Sequence, residues 1–218
     1  MRVYKFLNAQ YALDSILSGY IKLSTVDELN DPFEFKGVNF INAKIESNAP
    51  LINILKKFGL LCVSKKFSNP TLWSHYADSH RGIALGFDIS KNIEKNSKIN
   101  VQYRKKVIKI HEKLNVLTKN EKPALKILSI KSKDWCYENE VRFLFYLQNC
   151  IPKPINGDLK FFLNLKENEI FLSEIILGCN CNINIDVKLK MALKNRGITL
   201  YRAELDKKLF KVNRCIIP

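Results

Sequence analysis

The chain has 218 residues, of which 46% are hydrophobic, and this is enough for a sizeable core. No apolar run approaches the roughly 20 residues that a membrane-spanning helix needs, and the first residues lack the hydrophobic region of a signal peptide. We therefore expect a single domain over residues 1–218, located in the cytoplasm and with no membrane partner.

The formal net charge of +15 is concentrated in one segment. The segment from Lys91 to Lys133 contains thirteen Lys or Arg residues and three Glu residues, which gives it a net charge of +10. This basic segment favours an acidic partner, and nucleic acid is the partner we expect. An AT-rich genome also produces lysine-rich proteins, and the abundant Asn and Ile fit that second explanation.

The six cysteines are scattered, and the spacing of Cys179 and Cys181 is too short for the usual zinc pairs. We expect reduced thiols that act mainly as small core residues. Zinc is also disfavoured by His75 and His80, which are five residues apart and have no Glu between them. We expect no metal.

The first 34 residues predict a strand at 3–7, a helix at 9–17 closed by Gly19, and a strand at 20–23. If the two strands pair, Tyr4, Lys5 and Ser24 lie at the same end of a sheet. A capping box is expected between Ser24 or Thr25 and Glu28.

Four carboxylates follow within eight residues. They are Asp27, Glu28, Asp31 and Glu34. Two roles are open to them: holding a divalent metal for nuclease chemistry, or the helix-capping role that we favour, with Asp31 as an N-cap before Pro32.

The middle of the chain predicts a helix at 43–57, a strand at 59–64, a short helix from Pro70 towards Gly82, and a strand at 83–87. In the short helix, Trp73, Tyr76 and Ala77 form the packing face. We do not expect Ser74, His75 and Asp78 to form a hydrolase triad, because they are neighbours along the chain and the sequence has no nucleophile elbow.

The remaining pattern predicts a strand at 99–103 and a basic helical insertion at about 104–133, with its helix at 105–129. An irregular connection follows at 151–157, then strands at 159–163, 170–177 and 198–203, and a helix at 185–195 closed by Gly197. The predicted fold class is therefore α+β: a curved or split, mixed or antiparallel sheet with flanking helices.

Residues 135–145 contain charged side chains in a segment whose hydrophobic pattern predicts a buried strand. Alternation puts Trp135, Tyr137 and Val141 on one face of a strand, and Glu138, Glu140 and Arg142 on the other. One arginine can pair with one carboxylate and leave the other available, which is typical of a cleft. An edge strand with solvated charges is the alternative.

Three blocks of sequence resemble a widespread bacterial domain family of unknown function, often found in genomic islands. They are Asn-Asp-Pro-Phe-Glu at 30–34, Trp-Ser-His-Tyr-Ala-Asp with His80 and Gly82, and residues 131–142. The spacing of the blocks extends this resemblance over nearly the whole chain.

The opening strand, helix and strand, with a late glutamate strand, also resemble the layout of ADP-ribosyltransferase folds. That resemblance implies NAD as cofactor, bound in the cleft of a split sheet, with Tyr4 on the first strand, Tyr76 beside the nicotinamide and Glu140 as the catalytic glutamate. This sequence has Tyr4 where those enzymes usually have His or Arg.

In this hypothesis Glu140 stabilises the positive charge that develops on the ribose, with Glu138 beside it and Arg142 orienting Glu140 or meeting the pyrophosphate. The cofactor-binding candidates are Tyr4, Ser24, Trp73, His75, Tyr76 and His80. The protein would then be a defence or toxin effector acting on nucleic acid or an associated protein. The alternatives are a metal-dependent nuclease and a non-catalytic nucleic-acid or nucleotide-binding module.

Overall fold

The computed structural model describes residues 1–31, 33–34, 38–40, 53–110, 122–182, 185, 189, 193 and 196–217. A mostly antiparallel sheet with flanking helices dominates them, which confirms the predicted α+β class. In the described residues, no helix is long and apolar enough to cross a membrane.

Strands outnumber helices in the described part of the chain. The strands are β1 (Arg2–Leu7), β2 (Tyr20–Leu23), β3 (Val38–Phe40), β4 (Phe58–Ser64), β5 (Ile83–Ile89), β6 (Lys98–Asn100), β7 (Gln102–Arg104), β8 (Ile108–Ile110), β9 (Ile130–Ser132), β10 (Glu140–Tyr146), β11 (Ile151–Ile155), β12 (Asp158–Asn164), β13 (Ile170–Leu177), β14 (Thr199–Leu205) and β15 (Val212–Ile216). The α-helices are α1 (Ala9–Ser18), α2 (Pro70–Tyr76), α3 (Lys91–Asn96) and α4 (Lys122–Leu128), and 3₁₀ helices cover Val26–Glu28, Lys133–Glu138 and Leu147–Asn149.

The main sheet has the strand order β15-β14-β13-β5-β1-β4-β10-β6 and splits between β1 and β4. Six residues of β1 lie opposite β5, and seven residues of β4 lie opposite β10. Between β1 and β4, both fully described, the register contains the single pair Tyr4 and Ser64. Two paired halves therefore meet at one point, and a cleft opens beside it.

The opening strand, helix and strand form as predicted. Helix α1 begins after Asn8, whose side chain accepts the N–H of Tyr11, and it ends at Gly19, whose φ of 75° suits glycine. The expected pairing of β1 with β2 is wrong, because β2 pairs with β12 in a separate sheet. Ser24 still reaches the cleft, because it bridges Leu60 of β4.

The predicted strand at 135–145 is wrong in its first half. The Ser132 side chain accepts the Asp134 N–H, a 3₁₀ helix follows to Glu138, and Asn139 at φ 46° turns the chain into β10. Strand β10 lies between β4 and β6 and is buried up to Phe145, so the edge-strand alternative is wrong as well.

The basic insertion is only partly helical where it is described. The predicted strand at 99–103 is in fact two short strands, β6 and β7, which belong to different sheets. The predicted helix at 105–129 is interrupted by β8, which pairs with β3. The β-branched residues of β8 favour this strand. Helix α4 occupies the end of the insertion, and residues 111–121 lie outside the described residues.

The other predicted elements can be followed only as far as the chain is described. Residues 43–52 of the predicted helix at 43–57 lie outside that part, and 53–55 are helical. Ile185, Leu189 and Leu193 are helical, as the prediction for 185–195 requires. The expected irregular connection at 151–157 is instead strand β11 and a tight turn at Asn156 and Gly157, whose φ angles are 52° and 84°.

Candidate active site

A cavity of about 210 Å³ lies in the cleft between β1 and β4. Its walls include Tyr4, Lys5 and Phe6 of β1, Cys62, Val63 and Ser64 of β4, Ser24, Asn30, Glu34, Tyr76, Lys131, Glu138 and Glu140. Residues far apart in the sequence thus meet where the sheet splits.

Glu140 and Arg142 form the centre of a buried ionic cluster on β10. The guanidinium donates from Nε to Glu140 Oε1 at 2.8 Å and from Nη2 to Glu140 Oε2 at 3.0 Å. It also donates to Glu34 Oε2 at 2.5 Å and to the Leu128 carbonyl at 3.0 Å. Arg142 therefore holds Glu34 and Glu140 from behind and does not itself line the cavity, so it orients Glu140 and is not placed to meet a pyrophosphate there.

Lys131 joins three carboxylates to the same cluster. Its Nζ lies 2.6 Å from Glu138, 3.2 Å from Glu140 and 3.2 Å from Glu34. The side chains of all four residues are at most 6% exposed. Two cations thus face three carboxylates, and the sequence pattern missed both Lys131 and Glu34 as members.

Glu138 and Glu140, two of the three carboxylates in this cluster, have opposite pKa shifts. Burial raises the pKa of Glu140, but Arg142 and Lys131 outweigh burial and lower it to about 2. Burial raises the pKa of Glu138, and the neighbouring Glu140 charge raises it further against the opposing effect of Lys131. Paired carboxylates with diverging pKa values are typical of acid–base sites.

Helix α2 contributes Tyr76 to this site. The Tyr76 hydroxyl donates to Glu138 Oε1 at 2.5 Å and accepts from the Asn30 amide at 2.8 Å. Burial and the adjacent Glu138 raise the pKa of Tyr76, so its hydroxyl remains a donor. Tyr76 therefore fixes the orientation of the Glu138 carboxylate.

Lys5 is a site residue that the sequence analysis did not select. Its Nζ donates to the Cys62 carbonyl at 3.2 Å across the split, and burial lowers its pKa. The available signal was a lysine between Tyr4 and Phe6 in a buried strand. Burial also raises the pKa of the Cys62 thiol to about 12, so this cysteine is not a thiolate nucleophile.

Five of the predicted site residues line the cavity. They are Tyr4, Ser24, Tyr76, Glu138 and Glu140. Tyr4 and Tyr76 therefore share the cavity with Glu140, the relationship that the sequence hypothesis requires. Tyr4 also directs its hydroxyl to Arg214, which donates to it at 3.4 Å.

Three predicted cofactor-binding residues lie outside the lining of the cavity. Trp73 is fully buried in the core, and its indole N–H donates to the Phe67 carbonyl at 2.7 Å. His80 stacks on the Trp73 ring, and exposed His75 contacts the Tyr137 hydroxyl through Nδ1 at 2.9 Å. Neither Trp73 nor His80 is placed to touch a ligand in this cavity.

The four carboxylates at 27–34 do not converge on one point. Asp27 pairs with Lys56, Glu28 pairs with Lys22 and Lys160, and only Glu34 enters the cluster. In the described residues, no group of side chains is arranged to hold a metal ion. Thr25 and Glu28 instead form the predicted capping box.

The fold and this cavity define a class: an α+β protein with a split sheet and a buried carboxylate cluster in the cleft. Residues 72–143, a third of the chain, match the model of a family described as "Protein of unknown function (DUF2971)". This match includes all but the first two residues of α2 and the Lys131 to Arg142 block, and it supports the predicted resemblance to a bacterial domain of unknown function. Searches of curated proteins and of solved structures found no match.

Proposed function

We propose that the protein is an NAD-dependent ADP-ribosyltransferase, which breaks the bond between nicotinamide and ribose and transfers the ADP-ribosyl group to an acceptor. One observation carries this proposal: Glu138 and Glu140, with opposite pKa shifts, face a cavity at the split of the sheet. We also propose that the family resemblance extends beyond residues 72–143.

The chemistry requires a fixed negative charge near the ribose, because positive charge develops there as nicotinamide departs with the bonding electrons. Glu140 is ionised and held by Arg142, so it supplies that charge without reorganisation. Glu138 has a raised pKa and takes the proton of the incoming acceptor as the new glycosidic bond forms.

The lining of the cavity fits part of NAD. A volume of about 210 Å³ suits a nicotinamide riboside unit rather than the whole dinucleotide. Lys5 would meet a phosphate, because its ammonium has donors beyond the one used by the Cys62 carbonyl. Tyr76 would form the wall beside the nicotinamide ring. Bound NAD would supply the reactive glycosidic bond.

The test is release of nicotinamide from NAD, measured by chromatography, with DNA, RNA and a cell lysate as acceptor sources. Glu140→Gln should reduce the rate by hundreds-fold, because loss of one fixed electrostatic contact raises the barrier by about 3 kcal/mol. Glu167→Gln, an exposed glutamate outside the cavity, is the matched control and should leave the rate unchanged. Wild-type protein that leaves NAD intact with every acceptor source would refute the proposal.

Glu140→Gln also changes the buried cluster, so its folding must be checked by thermal unfolding. Glu138→Gln provides a second variant, which keeps an oxygen for the Tyr76 hydrogen bond but loses both the proton-accepting carboxylate and its ion pair with Lys131, so its folding is checked in the same way. A folded Glu138→Gln protein with the wild-type rate would remove Glu138 from the proposed mechanism.

A further inference from the structure

An aromatic cluster made of His75, Tyr76, Trp135 and Tyr137 lies beside the cavity. The His75 ring centroid lies 6.1 Å from that of Tyr76, 6.4 Å from that of Trp135 and 5.8 Å from that of Tyr137. Trp135 and Tyr137 are 5.9 Å apart. His75 is exposed and the other three are partly exposed, so the cluster offers ring surface to solvent. Three of these rings have no part in the proposed chemistry.

The aromatic cluster is continuous with the cavity at two residues. Tyr76 belongs to the cluster and lines the cavity. Lys131 also lines the cavity, and its ammonium lies 5.1 Å from the centre of the Trp135 ring. A planar group stacked on Trp135 would therefore lie next to the mouth of the cavity.

Exposed cations flank the aromatic cluster on two sides. On one side, the Lys65 N–H donates to the Asn139 carbonyl at 3.1 Å, directly after the 3₁₀ helix that carries Trp135 and Tyr137. On the other side, Arg104 lies opposite Ser132, directly before that helix. The exposed cations in these two positions are Lys65, Lys66, Arg104, Lys105, Lys106 and Lys133.

The nearest exposed carboxylates do not cancel this charge. Asp134 contributes one negative charge beside the six cations, and Asp78, on the His75 side, is paired with Arg81. The surface thus combines exposed rings with an excess of cations.

We infer that this surface binds single-stranded nucleic acid and directs a nucleotide towards the cavity as the acceptor. Unpaired bases stack on aromatic side chains while lysine and arginine contact the phosphates. Bases in a duplex are stacked on each other and would leave these rings unused. An acidic protein would use the cations alone. The acceptor role rests on the proposed function, whereas binding needs no NAD.

Binding can be measured through tryptophan fluorescence. The chain has two tryptophans, and Trp73 is fully buried whereas Trp135 is partly exposed. Titration with an oligodeoxythymidine of roughly 12 nucleotides, a length within the usual site sizes, should quench the emission. Trp135→Phe should abolish the quenching. Trp135→Ala also lacks the reporting tryptophan, so its affinity is measured by fluorescence anisotropy of a dye-labelled oligonucleotide, and it should bind about fivefold to a hundredfold more weakly than the wild type.

Two double variants that remove the same amount of charge test whether binding depends on the lysines beside the aromatic cluster. Lys105→Gln with Lys106→Gln should lower affinity and reduce the slope of log K against log salt by about 1.4, because each phosphate contact on a single strand contributes about 0.7. Lys207→Gln with Lys208→Gln makes the same charge change on exposed lysines between β14 and β15, and it should have little effect.

Three results would overturn the inference: no quenching, equal weakening in both double variants, or equal quenching by polyglutamate of the same length. The titrations are made without NAD and repeated with Glu140→Gln, which should bind as the wild type does. A protein that binds the oligonucleotide but leaves NAD intact would refute only the proposed function.

Discussion

Arg142 and Glu140 lie two residues apart on β10 and share two hydrogen bonds, at 2.8 and 3.0 Å. The same guanidinium also reaches Glu34, which is 108 residues away along the chain. Arg142 is 1% exposed, so this cation neutralises carboxylates from two segments inside the protein. The walls of the cavity therefore depend on one ionic group.

Arg142→Met should destabilise the protein by about 3–5 kcal/mol, because Glu34 and Glu140 would lose a buried counter-ion. Urea unfolding of the purified variant measures the change. Arg104→Met, at an exposed position, is the control and should stay within about 0.5 kcal/mol of wild type. Equal losses for the two variants would contradict a central role for Arg142.

The lowered pKa of Glu140 predicts a pH-dependent contribution to stability. Its pKa falls from 4.5 to about 2 in the folded protein, so its stabilising effect is complete above about pH 4.5 and is lost as the pH falls towards 2. The difference in unfolding free energy between wild type and Glu140→Gln should therefore narrow by about 3 kcal/mol over that range. Urea unfolding at several pH values tests this, and a constant difference would be inconsistent with it.

Local pattern was sufficient to place Glu140 and Arg142 together. Alternate residues of a strand share a face, so two residues of β10 could be paired without knowing the rest of the fold. The same reasoning failed for Trp135 and Tyr137, because their spacing imitates a strand within a 3₁₀ helix. Ser132 as a cap and Asn139 at a left-handed position were the available signals for that helix.

Long-range partners could not be read from local pattern. Glu34 and Lys131 enter the cluster because the Glu34 N–H donates to the Asp31 carbonyl, which fixes the backbone of Glu34, and because β9 lies beside β7. Lys5 looked like an ordinary strand lysine, and its environment depends on β1 separating from β4 after a single pair. Local pattern indicates the residue types at the cleft, whereas the split that brings them together is a property of the whole sheet.

Tyr76→Phe should shift the pH dependence of NAD cleavage. The Tyr76 hydroxyl lowers the pKa of Glu138 by donating to it, so its loss should raise that pKa further. If Glu138 acts as a base, the acidic limb of the rate profile moves to higher pH. Rates measured across pH check the direction of the shift.

Tyr11→Phe removes an exposed hydroxyl and is the control for this experiment. It should leave both the profile and the stability unchanged. Tyr76→Phe should in addition cost about 1–3 kcal/mol, because Asn30 and Glu138 lose a shared partner. A wild-type pH profile in a folded Tyr76→Phe protein would show that Tyr76 does not influence Glu138 during the reaction.

Pro152 and Pro154 should protect an exposed sheet edge from self-association. Strand β11 pairs with β12 on one side, and all five of its residues are exposed. A two-residue turn joins β11 to β12 and makes Ile155 and Asp158 a hydrogen-bonded pair. Hydrogen-bonded and non-hydrogen-bonded pairs alternate along an antiparallel ladder, so the backbone nitrogens of Pro152 and Pro154 face outwards. Because proline has no N–H, this edge lacks two donors that another strand would use.

Replacing both prolines with threonine should restore these donors and increase dimer or oligomer formation at high protein concentration, which sedimentation velocity measures. Ile151→Thr is the matched control, because the N–H of residue 151 faces β12 and the outer edge is unchanged. The control should sediment as wild type does. If the double variant also sediments as wild type does, something other than the two prolines keeps this edge from pairing.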